Sequence, residues 1–254
     1  MIDIETIIGG VLFVGLRIGG LFVFAPFLGS SSVPMRVKAA LAVAMTALLY
    51  PAHRAVLHLS SSTPWTRIVI SEFIIGLLIG LSMNLIFDAV QFAGHILGIQ
   101  MGFSLVNVFD PQTQADTPVL AAFQQTIALL IFLRLDVHYW MLRAVARSYD
   151  YLPAGSAVLR GTLVEMSLHS AAAIWTAGLQ LAAPALAATM LADLALALIG
   201  KASPHLPVLF IGLSIKSLLG LAVLITALAA WPRFFETAFS RSIAGCETTL
   251  RLAH

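Results

Sequence analysis

The chain has 254 residues, of which 59% are hydrophobic and only 10% are charged, and its formal net charge is +2. Soluble domains carry about 25% charged residues, so this composition excludes an ordinary soluble domain. The basic residues are scattered rather than clustered, which excludes a nucleic-acid-binding surface of the usual kind. A membrane-spanning helix needs about 20 apolar residues, and the apolar windows of the chain predict an all-α integral membrane protein with about six hydrophobic helical segments.

The first apolar segment covers residues 7–28, and it carries several glycines and Arg17 near its middle. An arginine in hydrocarbon costs a few kcal/mol, so Arg17 is expected to face protein or water. Gly15 and Gly19 have the small-xxx-small spacing that admits a neighbouring helix. Asp3 and Glu5 stand where a secretory signal would carry positive charge, so the segment is expected to be retained. We predict a buried helix whose arginine has a partner outside the segment.

The second and third apolar segments differ in length. Residues 37–50 are too few for a straight span, and a polar connection follows them. Residues 65–90 predict a long helix in which Glu72, Gly76 and Gly80 are spaced four apart. Such a face is expected to point inward, toward partners or toward a water-lined path.

Residues 119–200 are predicted to alternate between apolar helices and polar segments. Residues 119–135 are apolar, and a polar, aromatic junction and an amphipathic interfacial segment follow them. Residues 156–167 are polar enough to be a loop or an interfacial turn. Residues 169–200 predict a long helix that Pro184 kinks, with Asp193 as an isolated buried acid.

The last apolar helix is predicted over residues 208–231, with Lys216 inside it. In residues 232–254 one helix face is aromatic and apolar and the other is charged, which predicts an amphipathic C-terminal tail. We interpret residues 1–254 as a single membrane domain that includes this tail.

Four isolated charges lie within the apolar segments, at Arg17, Glu72, Asp193 and Lys216. Isolated charges in such helices usually find partners, so ion pairs that stabilise an assembly are the first interpretation. A lone buried carboxylate is either protonated or paired. A proton path lined by these residues is the alternative.

The most unusual stretch of the chain covers residues 94–118. It begins with Gly94, Gly98 and Gly102 spaced four apart, so that one helix face is nearly bare backbone. It ends in residues 110–118, the most polar run in the interior of the chain. The glycines predict close packing of helices. Non-helical backbone at membrane depth is tolerated only where it is buried in protein or lines water, so the polar run is predicted to do one of these.

Catalytic and metal-binding motifs are absent from the sequence. No nucleotide-binding, zinc-protease or nucleophile-elbow motif occurs. The seven histidines lack a second ligand at the spacing of a zinc site. The single cysteine, Cys246, cannot form a disulfide within the chain and is interpreted as a small apolar filler. We therefore predict a protein that is not an enzyme and that holds no cofactor or metal.

Residues 94–104, followed by Asp110 and Pro111, resemble the FliR family of flagellar biosynthetic proteins, which includes the counterpart in the injectisome export apparatus. The chain departs from the family pattern at residues 205–207, where members usually carry Gln-x-Asn, and at Ser214, where glycine is usual. Other matching pieces follow the family order over nearly the whole chain. They are Arg17-Ile18-Gly19-Gly20 with Pro26, Val33-Pro34 with Arg36, Glu72 with Gly76 and Gly80, Phe132-Leu133 before Asp136 and His138, Ser148-Tyr149 with Leu152-Pro153, Ala183-Pro184 with Asp193, Pro204, and Lys216 with Gly220.

The resemblance implies a non-enzymatic subunit of the type III protein export gate, in the bacterial inner membrane at the flagellar basal body. It implies tilted helical hairpins in a helical, pore-forming complex with FliP- and FliQ-like subunits. FlhB- and FlhA-like proteins would work with this complex, and unfolded export substrates would pass through it. Neither a cofactor nor nucleic acid is implied.

The resemblance also implies that residues 107–118, here called the gate loop, lie toward the central path as a plug or constriction. An ordinary helix stop and turn is the alternative for Asp110 and Pro111. The gate-loop residues to which this role is assigned are Asn107, Asp110, Pro111, Gln112, Thr113, Gln114, Asp116 and Pro118.

A small secondary transporter or ion-coupled carrier is the rival hypothesis. It would use the same buried acids and helix breaks to build a substrate site. A carrier is expected to move solute when it is reconstituted alone, whereas a gate subunit is expected to be inert without its partners.

Overall fold

A computed structural model describes residues 4–29, 33–53, 64–103, 119–154, 161–205 and 207–251. Within these ranges the chain forms helices and turns and no strand, which confirms the all-α prediction. The described helices are α1 (Ile4–Phe24), α2 (Met35–His53), α3 (Trp65–Gln100), α4 (Val119–Arg134), α5 (Val137–Tyr151), α6 (Gly161–Ala202), α7 (Val208–Leu228) and α8 (Trp231–Arg251).

Several of these helices suit a membrane by length and composition. In the described ranges there are 4 such spans, or up to 5 if the bent pair of α4 and α5 is counted as one span. This count is roughly consistent with the predicted number of hydrophobic segments. The 4 spans are Ile7–Phe24, Trp65–Gln100, Ala172–Ala202 and Phe210–Leu228.

Two predicted boundaries are wrong. Helix α6 begins at Gly161, so the loop predicted over residues 156–167 is helical from that residue onward. No proline interrupts these positions, and extending a long helix adds one hydrogen bond for each residue that is fixed. Helix α3 ends at Gln100, so Gly102 lies beyond the helix on which the glycine pattern placed it.

The chain divides into two compact units. Unit 1 comprises Met1–Ile86, Phe132–Ala172 and Thr237–His254. Unit 2 comprises Phe87–Ile131 and Ala173–Glu236. Each unit is described by itself below.

In unit 1, α1 and α3 pack backbone against backbone at glycines from both helices. A Cβ added at Gly20 would collide with the Phe73 carbonyl of α3. A Cβ at Gly80 would lie 2.5 Å from the Leu21 carbonyl of α1, and one at Gly76 would also collide with the α1 backbone. Larger residues at these positions would force the helices apart.

The sequence predicted that Gly15 and Gly19 admit a neighbouring helix, without naming the helix, and only Gly15 lies against one. A Cβ at Gly15 would meet the Thr46 side chain of α2 at an ordinary 3.6 Å, whereas one at Gly19 would meet nothing within 4 Å. The close approach belongs to Gly20, which is rotated by about 100° from Gly19 on the helix.

The C-terminal segment is a packed helix in unit 1 rather than an isolated tail. Phe239 and Leu250 of α8 are buried, and the Phe239 ring lies 5.6 Å from that of Phe132. The Ser242 hydroxyl donates to the Ser82 carbonyl of α3 at 2.6 Å. The amphipathic pattern therefore directs the apolar face of α8 against protein.

In unit 2, small residues again set the distances between helices. A Cβ at Gly94 would collide with Ala121 of α4, and one at Gly178 of α6 would lie 2.9 Å from the Ala89 carbonyl of α3. Gly98 is buried on α3. The glycine face of α3 thus continues into unit 2 as a packing surface.

We predict opposite effects for alanine at two adjacent glycines of α1. Gly20→Ala should destabilise unit 1 by about 1–3 kcal/mol, because the new methyl group overpacks the contact with α3. Gly19→Ala should be neutral or stabilising by up to about 1 kcal/mol, since alanine is the better helix former and has room. Thermal unfolding of the purified chain in detergent measures both, and equal effects would contradict the packing described.

Candidate functional site

A closed polar cluster in unit 1 surrounds the guanidinium of Arg17. Its Nε lies 2.8 Å from Oε2 of Glu72, and both side chains are 0% exposed. Its Nη1 donates to the Ser148 hydroxyl at 2.7 Å and its Nη2 to the Leu152 carbonyl at 3.1 Å. The Tyr149 ring lies against the guanidinium, with 3.8 Å from the Arg17 Cζ to the ring centroid. We call these five residues the Arg17 cluster.

The packing of the helices explains why the cluster forms. Gly76 lets the α1 backbone at Arg17 approach α3, and Glu72 lies one turn earlier on the same face of α3. Ser148 and Tyr149 lie on the buried face of the amphipathic helix α5. Helix α5 ends at Tyr151, with the Leu152 N–H donating to the Ser148 carbonyl at 2.9 Å. Because the last carbonyls of a helix have no N–H of a following turn to accept from, the Leu152 carbonyl can accept from Arg17.

This arrangement can join helices but is poorly suited to moving protons. Arg17 connects α1 to α3 and to the C-terminal end of α5 through a charged pair and two further hydrogen bonds. Arginine is never deprotonated in proteins, and the pair is fully buried. The contacts are those of a structural ion pair.

A second polar cluster lies in unit 2 and is more open. Asp193 of α6 accepts a hydrogen bond from Gln100 Nε2 at 2.8 Å through Oδ2 and contacts Lys216 Nζ at 2.8 Å through Oδ1. The side chain of Asp193 is 46% exposed and that of Lys216 is 18% exposed. The expectation that Asp193 is buried is therefore wrong for the chain by itself. We call these three residues the Asp193 cluster.

The end of α3 is held on α7 immediately after Gln100. The Ser217 hydroxyl donates to the Met101 carbonyl at 2.7 Å. Gly102 has a φ of 84°, a left-handed conformation that suits glycine at the end of a helix, and a Cβ there would collide with Leu213. Met101 in turn packs on Gly220, where an added Cβ would lie 3.0 Å from the Met101 Sδ. The chain thus leaves α3 from a fixed position.

The structure brings the four charges together as two separate pairs, and it does not describe the gate loop. Asn107, Asp110, Pro111, Gln112, Thr113, Gln114, Asp116 and Pro118 all lie outside the described residues. In the described part of the chain, no group of three or more His, Cys, Asp and Glu side chains is placed to hold a metal ion.

Sequence reasoning missed four residues of the two clusters: Gln100, Ser148, Tyr149 and Leu152. The one signal for these four residues was their place in the family pattern, which assigned them no contact. The partner of Gln100 lies 93 positions away in the sequence, so no local pattern pointed to it.

Cys246 is the other titratable group whose surroundings are informative. Burial raises the pKa of the Cys246 thiol to about 12, and a hydrogen bond with Ser82 offsets only part of that rise. The thiol is therefore protonated at neutral pH, whereas the residue as a whole is half-buried.

We predict that the Arg17 cluster is stabilised as a unit. Arg17→Leu or Glu72→Leu alone should cost about 3–5 kcal/mol, because each removes one partner of a buried ion pair, whereas the double variant should cost less than the sum. Thermal unfolding of the four chains in detergent completes the cycle, with Arg147→Leu as an exposed arginine control on α5. Additive losses would contradict the pairing.

Comparison with known proteins places this chain in a family. The family "Bacterial export proteins, family 1" matches residues 8–242. The chain is 31% identical to the flagellar biosynthetic protein FliR of Escherichia coli (strain K12), over 89% of this chain and 86% of that protein. It is 29% identical to the FliR of Bacillus subtilis (strain 168), over 95% and 94%. It is also 30% identical to the secretion system apparatus protein SsaT of Salmonella typhimurium, over 70% and 68%. The chain belongs to the bacterial export proteins, family 1, and the resemblance seen in its sequence is confirmed.

Proposed function

We propose that the chain is a membrane subunit of the flagellar type III protein export apparatus, and that it contributes to the export gate rather than to catalysis. The observation that carries this proposal is the family match over residues 8–242 in a chain with 4 candidate membrane spans. The proposed location is the bacterial inner membrane at the flagellar basal body.

Flagellar use is favoured over use in an injectisome by the extent of the similarity. The two flagellar relatives align with 89% and 95% of this chain. The secretion-system relative aligns with 70% of it at similar identity. The additional aligned length supports a flagellar role.

The proposed partners are FliP- and FliQ-like subunits, with FlhB- and FlhA-like proteins working with the assembled gate. The 18-residue apolar windows within Ala172–Ala202 and Phe210–Leu228 are each only 17% buried inside the chain, which leaves their apolar side chains for lipid or for partner subunits. The carrier hypothesis loses support because the charges that it would use for a substrate site are engaged in pairs.

We also propose that the gate loop, residues 107–118, helps to seal the closed gate and moves aside for unfolded substrates. The family resemblance suggests this role. The fixed end of α3 at Met101 and Gly102 supports it, because a plug needs a rigid base from which to close. Proline at positions 111 and 118 further limits the conformations of the loop.

Deletion of the gene is expected to abolish flagella and swimming, and a plasmid copy of the full chain is expected to restore both. The appearance of hook and filament proteins in the culture medium measures export directly. A plasmid with an early stop codon is the matched control. Normal export by the deletion strain would contradict the proposed function.

Deletion of residues 112–115 is expected to raise the ion leak through the assembled complex, because it shortens the proposed seal. Conductance of the purified complex in planar bilayers measures the leak. Replacement of the same four residues by Gly-Ser-Gly-Ser keeps the length and separates the effect of the side chains from that of loop length. Unchanged conductance in a normally assembled deletion complex would count against a sealing role.

A further inference from the structure

Arg17 lies deep within the apolar window of α1. The window Ile7–Phe24 has 18 residues and a mean hydropathy of 2.2. At 1.5 Å per residue it is about 27 Å long, which matches the hydrocarbon core of a bilayer at about 30 Å. Arg17 is about 10 Å along the helix from the nearer end of the window, at Phe24. Helix side chains tilt toward the N-terminus, so the guanidinium is directed away from that end.

An arginine at this depth is costly because it cannot give up its charge. Arginine stays protonated in proteins. At the centre of a membrane helix it opposes insertion as strongly as about six Leu, Ile, Phe or Val residues favour it. The window contains twelve such residues, five glycines and Arg17. Without a partner, Arg17 would therefore offset about half of the apolar contribution that holds α1 in hydrocarbon.

Glu72 of α3 is the partner, and the packing of the two helices brings it to the level of Arg17. The Arg17 Nε lies 2.8 Å from the Glu72 Oε2, and both side chains are 0% exposed. A Cβ added at Gly76 would collide with the Arg17 carbonyl. One added at Gly80, a turn later, would lie 2.5 Å from the carbonyl of Leu21. Residue numbers rise together along this contact, so α1 and α3 run parallel.

The order of the residues in the chain separates Arg17 from its partner during synthesis. No acidic residue lies between Arg17 and Glu72 in the sequence. Glu5 lies twelve residues before Arg17, which is about 18 Å along α1. Glu72 is therefore the first carboxylate made after Arg17. A chain synthesised from its N-terminus contains all of α1 and α2 before it contains the group that neutralises α1.

We propose that Glu72 is required to hold α1 in the hydrocarbon core, so that α1 and α3 are integrated into the membrane as a parallel pair. The integration of α1 then depends on a residue made 55 positions later. The ion pair serves the insertion of unit 1 before it serves the packing of the finished fold. This inference needs only a chain in a membrane and makes no use of an export role, so it and the proposed function fail separately.

Labelling of a single cysteine on α1 tests the proposal. Leu12 is 46% exposed, so without partner proteins only hydrocarbon can shield a cysteine at this position. The full chain with Leu12→Cys and Cys246→Ser is made by cell-free translation with inner-membrane vesicles from cells that make no flagella. A membrane-impermeant maleimide then labels any cysteine that water reaches, and labelling after dissolution in SDS gives the total. The intact pair of Arg17 and Glu72 is expected to leave the cysteine protected.

Removal of the partner should expose α1, and removal of both charges should protect it again. Glu72→Leu should raise the labelled fraction at least about tenfold, because Arg17 then has no counter-ion. Adding Arg17→Leu to Glu72→Leu should restore protection, since an apolar α1 needs no partner charge. This rescue separates the loss of charge pairing from a general loss of the fold.

The matched control is Asp193→Leu, which removes an acid from an apolar helix of unit 2 and should leave the cysteine protected. Three results would overturn the proposal. They are protection that persists in Glu72→Leu, labelling of the chain with the intact pair, and labelling of the double variant equal to that of Glu72→Leu.

Discussion

The ion pair between Arg17 and Glu72 is the interaction on which the packing of unit 1 depends. Both side chains are fully buried, so neither charge is tolerable without the other. Meeting this demand requires α1 and α3 to touch along their backbones, which is what the glycines on both helices allow. The same guanidinium reaches the end of α5 through Ser148 and Leu152. Charge pairing and glycine packing are thus one constraint, because a wider gap between α1 and α3 would separate the pair.

The Asp193 cluster is also built on an ion pair, but this pair is partly exposed. It too joins an acid to a base at 2.8 Å, but its acid remains 46% exposed. Ser217 and Gly220 of α7 hold the end of α3 next to the cluster. The same part of α7 therefore supports both the cluster and the residues that lead toward the gate loop. Removing the closed pair of unit 1 would therefore disturb the fold, whereas changing the open pair would alter a surface.

The sequence alone predicted the helices well, and the contacts between them only in part. Long apolar windows are local signals, and so is the cost of burying Arg17, which required a partner somewhere. The identity of that partner is not local, because Glu72 lies 55 positions away and Ser148 lies 131 positions away. The error at Gly19 has the same origin, since the spacing of small residues does not fix which face of a helix meets its neighbour. Function depended on the ordered family pattern rather than on any single site, and the gate loop lies outside the described residues.

The contrast between the clusters has a consequence for what this chain is by itself. Unit 1 encloses the pair of Arg17 and Glu72 with its own helices, whereas in unit 2 Asp193 is 46% exposed beside the exposed apolar side chains of α6 and α7. Among the described residues of unit 2, the side chains of the Asp193 cluster bind one another, whereas the amide of Gln124 is buried without a hydrogen-bond partner. In a membrane, an apolar face of this kind is covered by lipid or by another subunit. A chain that leaves such a face open on two apolar helices is compatible with the proposed role as one subunit of a larger membrane assembly.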